Sequence, residues 1–337
     1  MLKYIAKRLA YALLILVGVS LIIYFLIRMM PVDFIQSKVD ALNNNGGSVD
    51  QAMVDAMYKA YGLEDTAGMS FGQKLGSYFG GWLGWLTSML QGDLGTSFKY
   101  GLPVADVIGQ YMWLSFAVAL IATVFEFMIA IPLGITAATH QYSIRDYVVT
   151  VLVMIGISLP SFFFGNILKN FFALKLGWFP VNGLQSAGQT LTGFAKIMDY
   201  LWHLVIPIMT LVILSIGGRM RMTRTNMLEV MNSDYIRTAR AKGLKESVVI
   251  NKHAFRNTLI PLVTSLAGLL PSLFSGAIIT EQVFDLPGIG NIALSAMNAG
   301  DIPFIMGYNM FLAILSVLGI LLADLMYGIV DPRVKLE

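Results

Sequence analysis

The chain has 337 residues, 56% of them apolar and only 13% charged, with a net charge of +3 and a mean hydropathy of +0.70. Charged residues run near 25% in soluble domains, so an ordinary soluble fold is excluded. There is no cysteine, which removes disulfide frameworks and thiolate metal sites, and three scattered histidines do not make a zinc cluster.

In chain order, Lys3, Lys7 and Arg8 precede an apolar run from Ala10 to Ile27. A secretory signal has the same charge order but a shorter apolar core and a small-residue cleavage site. Here Arg28-Met29-Met30-Pro31 follows, so the run predicts an uncleaved first transmembrane helix. A mixed segment occupies about 29–110. Ser48 with Gln51 predicts a capping box for a short helix carrying Met53, Met57 and Ala60 and closed by Gly62. Gly72 to Trp85, rich in Gly and aromatics, suits a membrane interface, and GDLGTS at 92–97 reads as a turn.

Five further apolar spans are predicted near 112–138, 147–172, 202–218, 259–280 and 304–330, each close to or above the roughly 17–25 residues a bilayer requires. Six spans place both termini on one side. With that side cytoplasmic, it holds Lys3, Lys7, Arg8, Arg145, nine cations between 219 and 256, Arg333 and Lys335, which is 15 of the 23 Lys and Arg residues. The outer loops are longer yet less cationic, as the positive-inside rule requires.

The one long, strongly charged stretch after residue 110 runs from Asn226 to Pro261. Ser233 or Asp234 is placed to start a helix and Gly243 to end it. Tyr235, Ile236 and Ala239 share one face, with Arg237, Arg240 and Lys242 around them. Such a helix is either a docking element or a loop whose charges only set topology.

Catalytic motifs are missing. There is no G-x-x-x-x-G-K-[ST] phosphate loop, no H-E-x-x-H and no Ser, His and Asp cluster. Glu126 and Asp324 sit well inside spans. Buried charge in lipid is costly, so each either lines a pathway or is satisfied by a Ser, Tyr, Arg or backbone partner. Lys169, near a span end, is expected to snorkel. Pro132, Pro160 and Pro207 fall within or beside helices, where they are common in any case.

The 226–261 stretch resembles the cytoplasmic coupling loop of bacterial ABC-importer permeases. Its form, Ala239-Arg240-Ala241-Lys242-Gly243-Leu244 followed by His253, Arg256, Asn257, Ile260 and Pro261, is similar to the dipeptide/oligopeptide branch. GDLGTSF at 92–98, E-x-V-F-x-x-P-G-I-G at 281–290 and Asp301-Ile302-Pro303 agree with that branch, as does the N-terminal MLKYIAKRL. The general Glu-Ala-Ala pattern counted back from Gly243 meets Arg237, Thr238 and Ala239, so a Glu contact is replaced by a cationic one from Arg237 or Arg240.

The resemblance implies an all-α membrane protein of six transmembrane helices with cytoplasmic termini, a type I importer permease with a long extracytoplasmic loop after helix 1. Residues 1–28 would be the N-terminal segment and first helix, 29–110 the outer insert, 111–330 the permease core with its coupling loop at 226–257, and 331–337 a cytoplasmic tail. It implies a subunit of an ATP-driven importer for peptides, with nickel or another small solute as an alternative and a stand-alone carrier as a third reading. The implied coupling residues are Asp234, Tyr235, Arg237, Thr238, Ala239, Arg240, Lys242, Gly243, His253, Arg256 and Asn257. Ala239 would allow close approach to an ATPase and Gly243 would make the turn. Asp93, Glu281, Asp285 and Asp301 would face a substrate-binding protein. The implied partners are a second homologous permease, two ATP-binding cassette subunits holding ATP and Mg, the binding protein and membrane lipid, with no nucleic acid. No catalytic, metal or cofactor site is expected in this chain, which would reside in the bacterial cytoplasmic membrane.

Overall fold

The computed structural model describes residues 2–28, 70–188 and 190–330. The expected Ser48–Gly62 helix and the tail at 331–337 lie outside these residues. Among the described residues the chain is helical, and the one bridge of β type is an isolated pairing of Thr96 with Pro103.

The helices are α1 (Leu2–Arg28), α2 (Phe71–Leu90), α3 (Val104–Thr139), α4 (Ile144–Ser158), α5 (Ser161–Leu168), α6 (Gly193–Met231), α7 (Asp234–Ala241), α8 (Glu246–Val248), α9 (Phe255–Leu266), α10 (Leu269–Phe274), α11 (Ile278–Val283), α12 (Ile289–Asn298) and α13 (Ile302–Val330). Two π-helical stretches, Lys169–Lys175 and Val249–Ala254, continue α5 and join α8 to α9.

Among the described residues, four helices are long and apolar enough to cross a membrane: α1, α3, α6 and α13. A fifth candidate span is broken, with α4 and the α5 stretch meeting at 105°. The break falls at Leu159-Pro160, where Pro160 removes an N–H donor and biases Leu159 to its extended ψ of 135°. The span expected over 259–280 is not one helix. It divides into α9, α10 and α11, because Gly268 and Gly276 interrupt it and Pro271 adds no backbone donor.

Two compact units are present. One comprises residues 112–291 and the chain from 318 onward; the other comprises residues 2–111 and 292–317. In the second, α2 begins at Ser70, whose N–H donates to Gln73 Oε1 at 3.0 Å, a capping-box bond. Its Tyr78, Trp82 and Trp85 pack with Tyr24 and Ile27 of α1 and Ile305 and Met306 of α13. Trp82 Nε1 donates to Ser20 Oγ at 3.1 Å. The aromatic content of 72–85 thus serves helix packing.

Asp301 is the polar centre of this second unit and is fully buried. Its carboxylate accepts from Phe304 N–H at 3.2 Å, capping α13 at the third position. It also accepts from Phe98 N–H and Lys99 N–H, both at 3.1 Å, and from the Ser97 hydroxyl. One side chain therefore ties the end of the predicted 92–97 turn and the two residues after it to the start of α13. Asp301→Ala leaves these buried donors without an acceptor and is expected to destabilise the unit by about 3–5 kcal/mol. A thermal melt in detergent would measure this, and an unchanged midpoint would refute it.

Candidate coupling loop and the ion pairs behind it

The predicted helix of the charged stretch is α7, Asp234–Ala241. Ser233 occupies its N-cap position, but the hydroxyl donates back to Val230 O instead of capping. Gly243 takes φ +73°, a left-handed conformation, and its N–H donates to Arg240 O at 2.9 Å. Open space lies where a side chain at Gly243 would project, so the glycine answers to backbone conformation and not to crowding.

Two faces of α7 have different fates. Ile236 and Ala239 are buried in a cluster with Met227 at the end of α6, Ala138 at the end of α3, and Val249 and Ala254 of the π stretch. Burying Ile236 alone contributes about 2 kcal/mol. Ala239 is therefore small because it packs against its own chain. It does not lie on an outward surface. Asp234, Tyr235, Arg237, Thr238, Arg240, Lys242 and Gly243 are exposed, as are Arg256 and Asn257, while His253 is half-buried. Asn257 Nδ2 donates to His253 O at 2.7 Å, a bond within the helix.

Arg240 reaches across the Gly243 turn to Glu246, Nη2 to Oε1 at 2.7 Å. The guanidinium holds the Glu246 carboxyl below the usual carboxylate value, chiefly by hydrogen bonding. A lowered folded value means the pair contributes fully at neutral pH and fades only as pH falls through that value. Both side chains are well exposed, so the contribution is small. A spin label at Ser247 is expected to report constant mobility from roughly pH 6 to 8 and loosening only in acid. Loosening near pH 7 would contradict the pairing. Because Arg240 is engaged, Arg237 is the more available of the two predicted cations; its nearest carboxylate, Asp234, is 3.7 Å away and fully exposed.

Behind the loop, Glu126 of α3 accepts from Arg219 Nε of α6 at 3.0 Å. Arg219 Nη1 donates to Ser265 Oγ of α9 at 2.8 Å, and its guanidinium lies 4.4 Å from the Phe127 ring centroid. Of the alternatives for Glu126, the Arg partner is present. Removing one member of such a pair costs about 3–5 kcal/mol, because it strands the other charge. A second ion pair joins α4 to α6: Arg224 grips both Asp146 oxygens at 3.0 and 2.9 Å. Asp324 is half-buried on α13. In the sequence Arg219 and Arg224 register only as cytoplasmic charge. Their partners lie 93 and 78 residues away, and no local spacing reveals them.

Of the four acids expected on the outer surface, Asp93 and Asp285 are exposed, and Asp93 Oδ1 also accepts from Gly95 N–H at 2.8 Å. Glu281 and Asp301 instead face inward, at 3% and 0% exposure. Glu281 accepts from Ser115 Oγ of α3 at 2.6 Å, Asn291 N–H at 2.8 Å and Ala277 N–H at 3.1 Å. Ser115 Oγ in turn accepts from Ile289 N–H at 2.9 Å. Three donors, two backbone N–H groups and one hydroxyl, replace the water a surface carboxylate would have. Lys169, expected to snorkel, donates to Val283 O at 2.8 Å and so caps the end of α11.

Residues 130–336 match the family described as binding-protein-dependent transport system inner membrane component. The chain belongs to this family. It is accordingly a multi-pass protein of the cytoplasmic membrane and the membrane subunit of an ABC importer, a class whose members work with other subunits of the transporter. The permease is 36% identical over 99% of its length, and 100% of the relative's, to the oligopeptide transport system permease protein AppB of Bacillus subtilis. It is 31% identical over 99% of its length, and 100% of the relative's, to the dipeptide transport system permease protein DppB of Alkalihalophilus pseudofirmus. Among solved structures, a chain of the inward-facing MetNI methionine ABC transporter superposes with a TM-score of 0.49 at 20% identity, covering 67% of this permease and 96% of that chain.

Proposed function

We propose that this permease carries peptides inward across the cytoplasmic membrane by alternating access, driven by ATP hydrolysed on two separate ATP-binding cassette subunits. The observation that carries the reading is α7. It is a one-faced cationic helix whose inner face is fixed to the ends of α3 and α6 and whose outer face is unoccupied by its own chain. A docked ATPase pair that opens and closes would move this block as a rigid element. The names of relatives matched over full length favour peptides over nickel as the cargo.

In this reading Tyr235, Arg237, Thr238, Lys242 and Arg256 meet the ATPase, and Gly243 forms the turn between the two short helices. ATP and Mg stay on the partner subunits, and the permease itself holds no cofactor and performs no catalysis. Both termini are cytoplasmic. The sixth crossing is made by α9 and α10 together, which adds one interrupted span to the four long helices and the bent pair. Asp93 and Asp285 are the acids available to an extracytoplasmic binding protein, and a second homologous permease completes the pathway.

Co-purification tests this assembly. The wild type solubilised from native membranes is expected to bring down a second permease and ATP-binding cassette subunits. Arg237→Glu combined with Lys242→Glu is expected to lose the cassette subunits while keeping the permease partner. Recovery of the chain without any ATPase would overturn the reading.

A further inference from the structure

Three helices leave the coupling block and meet again deeper in the core. The block joins the ends of α3 and α6 to α7 and the π stretch through Ala138, Met227, Ile236, Ala239, Val249 and Ala254. Arg219 lies eight residues before Met227, Glu126 twelve before Ala138, and Ser265 eleven beyond Ala254. At about 1.5 Å per residue these offsets put the Arg219 contacts roughly 12–18 Å from the block along each helix. Between the two levels α3 and α6 touch without a spacer. A Cβ at Gly134 would sit 2.6 Å from Thr223 Cβ and 2.8 Å from Met220 O.

We propose that Arg219 is a positioning residue that rivets α3, α6 and α9 into one rigid lever, so that movement of the coupling loop reaches the transport pathway undiminished. The inference rests on the ATP-driven reading above. Two ties at different depths resist what one tie permits: with the block alone, each helix pivots about its base. Arg219 suits the deeper tie because its planar fork reaches two partners at once, Nε to Glu126 and Nη1 to Ser265, while Phe127 stacks on its face. Lysine has the charge without the fork, and it would have to choose between Glu126 and Ser265. The cost of keeping an ion pair at this depth argues for a role beyond filling space.

The test is the number of ATP molecules hydrolysed per peptide imported, measured in proteoliposomes with the complete transporter. Wild type must first show ATP-dependent uptake; without it the functional reading fails, and the rivet with it. Given that uptake, Arg219→Met is expected to hydrolyse ATP within about twofold of wild type while importing at least tenfold less peptide per ATP. Arg219→Lys falls between, and the exchanged pair Glu126→Arg with Arg219→Glu recovers most of the ratio. If uptake and hydrolysis fall together in proportion to assembled complex, Arg219 is only structural and the proposal is overturned.

A second variant separates a permanent tie from one that opens in each cycle. The chain has no cysteine, so Glu126→Cys with Arg219→Cys can be bridged by a flexible bis-thiosulfonate with no competing thiol in this subunit. Bridging is expected to raise import per ATP above the unbridged double variant. Arrest of import on bridging would overturn the rivet, since it would mean that α3 and α6 separate there during transport.

Discussion

Gly243→Val is expected to cut ATP-driven uptake at least tenfold while the chain still reaches the membrane at its normal level. At φ +73° a β-branched side chain meets its own backbone, and holding it there costs about 1–3 kcal/mol. That converts to roughly a fivefold to 150-fold shift away from the native turn. The turn sets the angle between α7 and the helix beginning at Glu246, and the Arg240–Glu246 pair closes only across that angle. Gly243→Asn separates conformation from composition, because Asn tolerates the left-handed region far better than Val. The Asn variant should retain most uptake. Equal loss in both would show that bulk at the surface matters, not φ.

Gly288→Ala is expected to destabilise the core by about 3 kcal/mol, because the methyl overpacks the site and displaces a bonded carboxylate. The added carbon would sit 2.4 Å from Glu281 Cδ. Ordinarily a side-chain end could swing away, but this carboxylate is buried and bonded to Ser115, Ala277 and Asn291. The P-G-I-G run at 287–290 is thus shaped around a carboxylate six to nine residues earlier in the chain. Glu281→Ala alone should also be harmful, since it leaves those donors unpaired. The double variant should cost clearly less than the sum, because the methyl then enters space the carboxylate vacated. Strict additivity in a melt of the four proteins would contradict the cradle.

These two sites mark what was legible beforehand. The helix over 234–241, its stop at Gly243 and the 92–97 turn each follow from residues adjacent in sequence, where capping and turn chemistry act locally. Long apolar runs likewise gave α1, α3, α6 and α13, because hydropathy needs no partner to be read. The inward turn of Glu281 and Asp301 was not legible, because nothing local distinguishes a solvated carboxylate from one that collects buried N–H groups. The family resemblance puts Ala239 at a docking position, yet its burial depends on Met227 and Ala254 arriving from other helices. The division of the 259–280 run was signalled by Gly268, Pro271 and Gly276, but an overall apolar content outweighed them. The Arg219–Glu126–Ser265 contact joins three helices and has no signature in any one of them.

Peptide uptake in proteoliposomes decides whether ATPases move this permease through its 226–257 loop. The permease would be reconstituted with its partner subunits and binding protein, with ATP or an ion gradient supplied separately. Uptake is expected only with ATP inside, lost when Gly243→Val replaces the wild type and kept with Gly243→Asn. Uptake driven by the ion gradient in the absence of the ATPase subunits would contradict it.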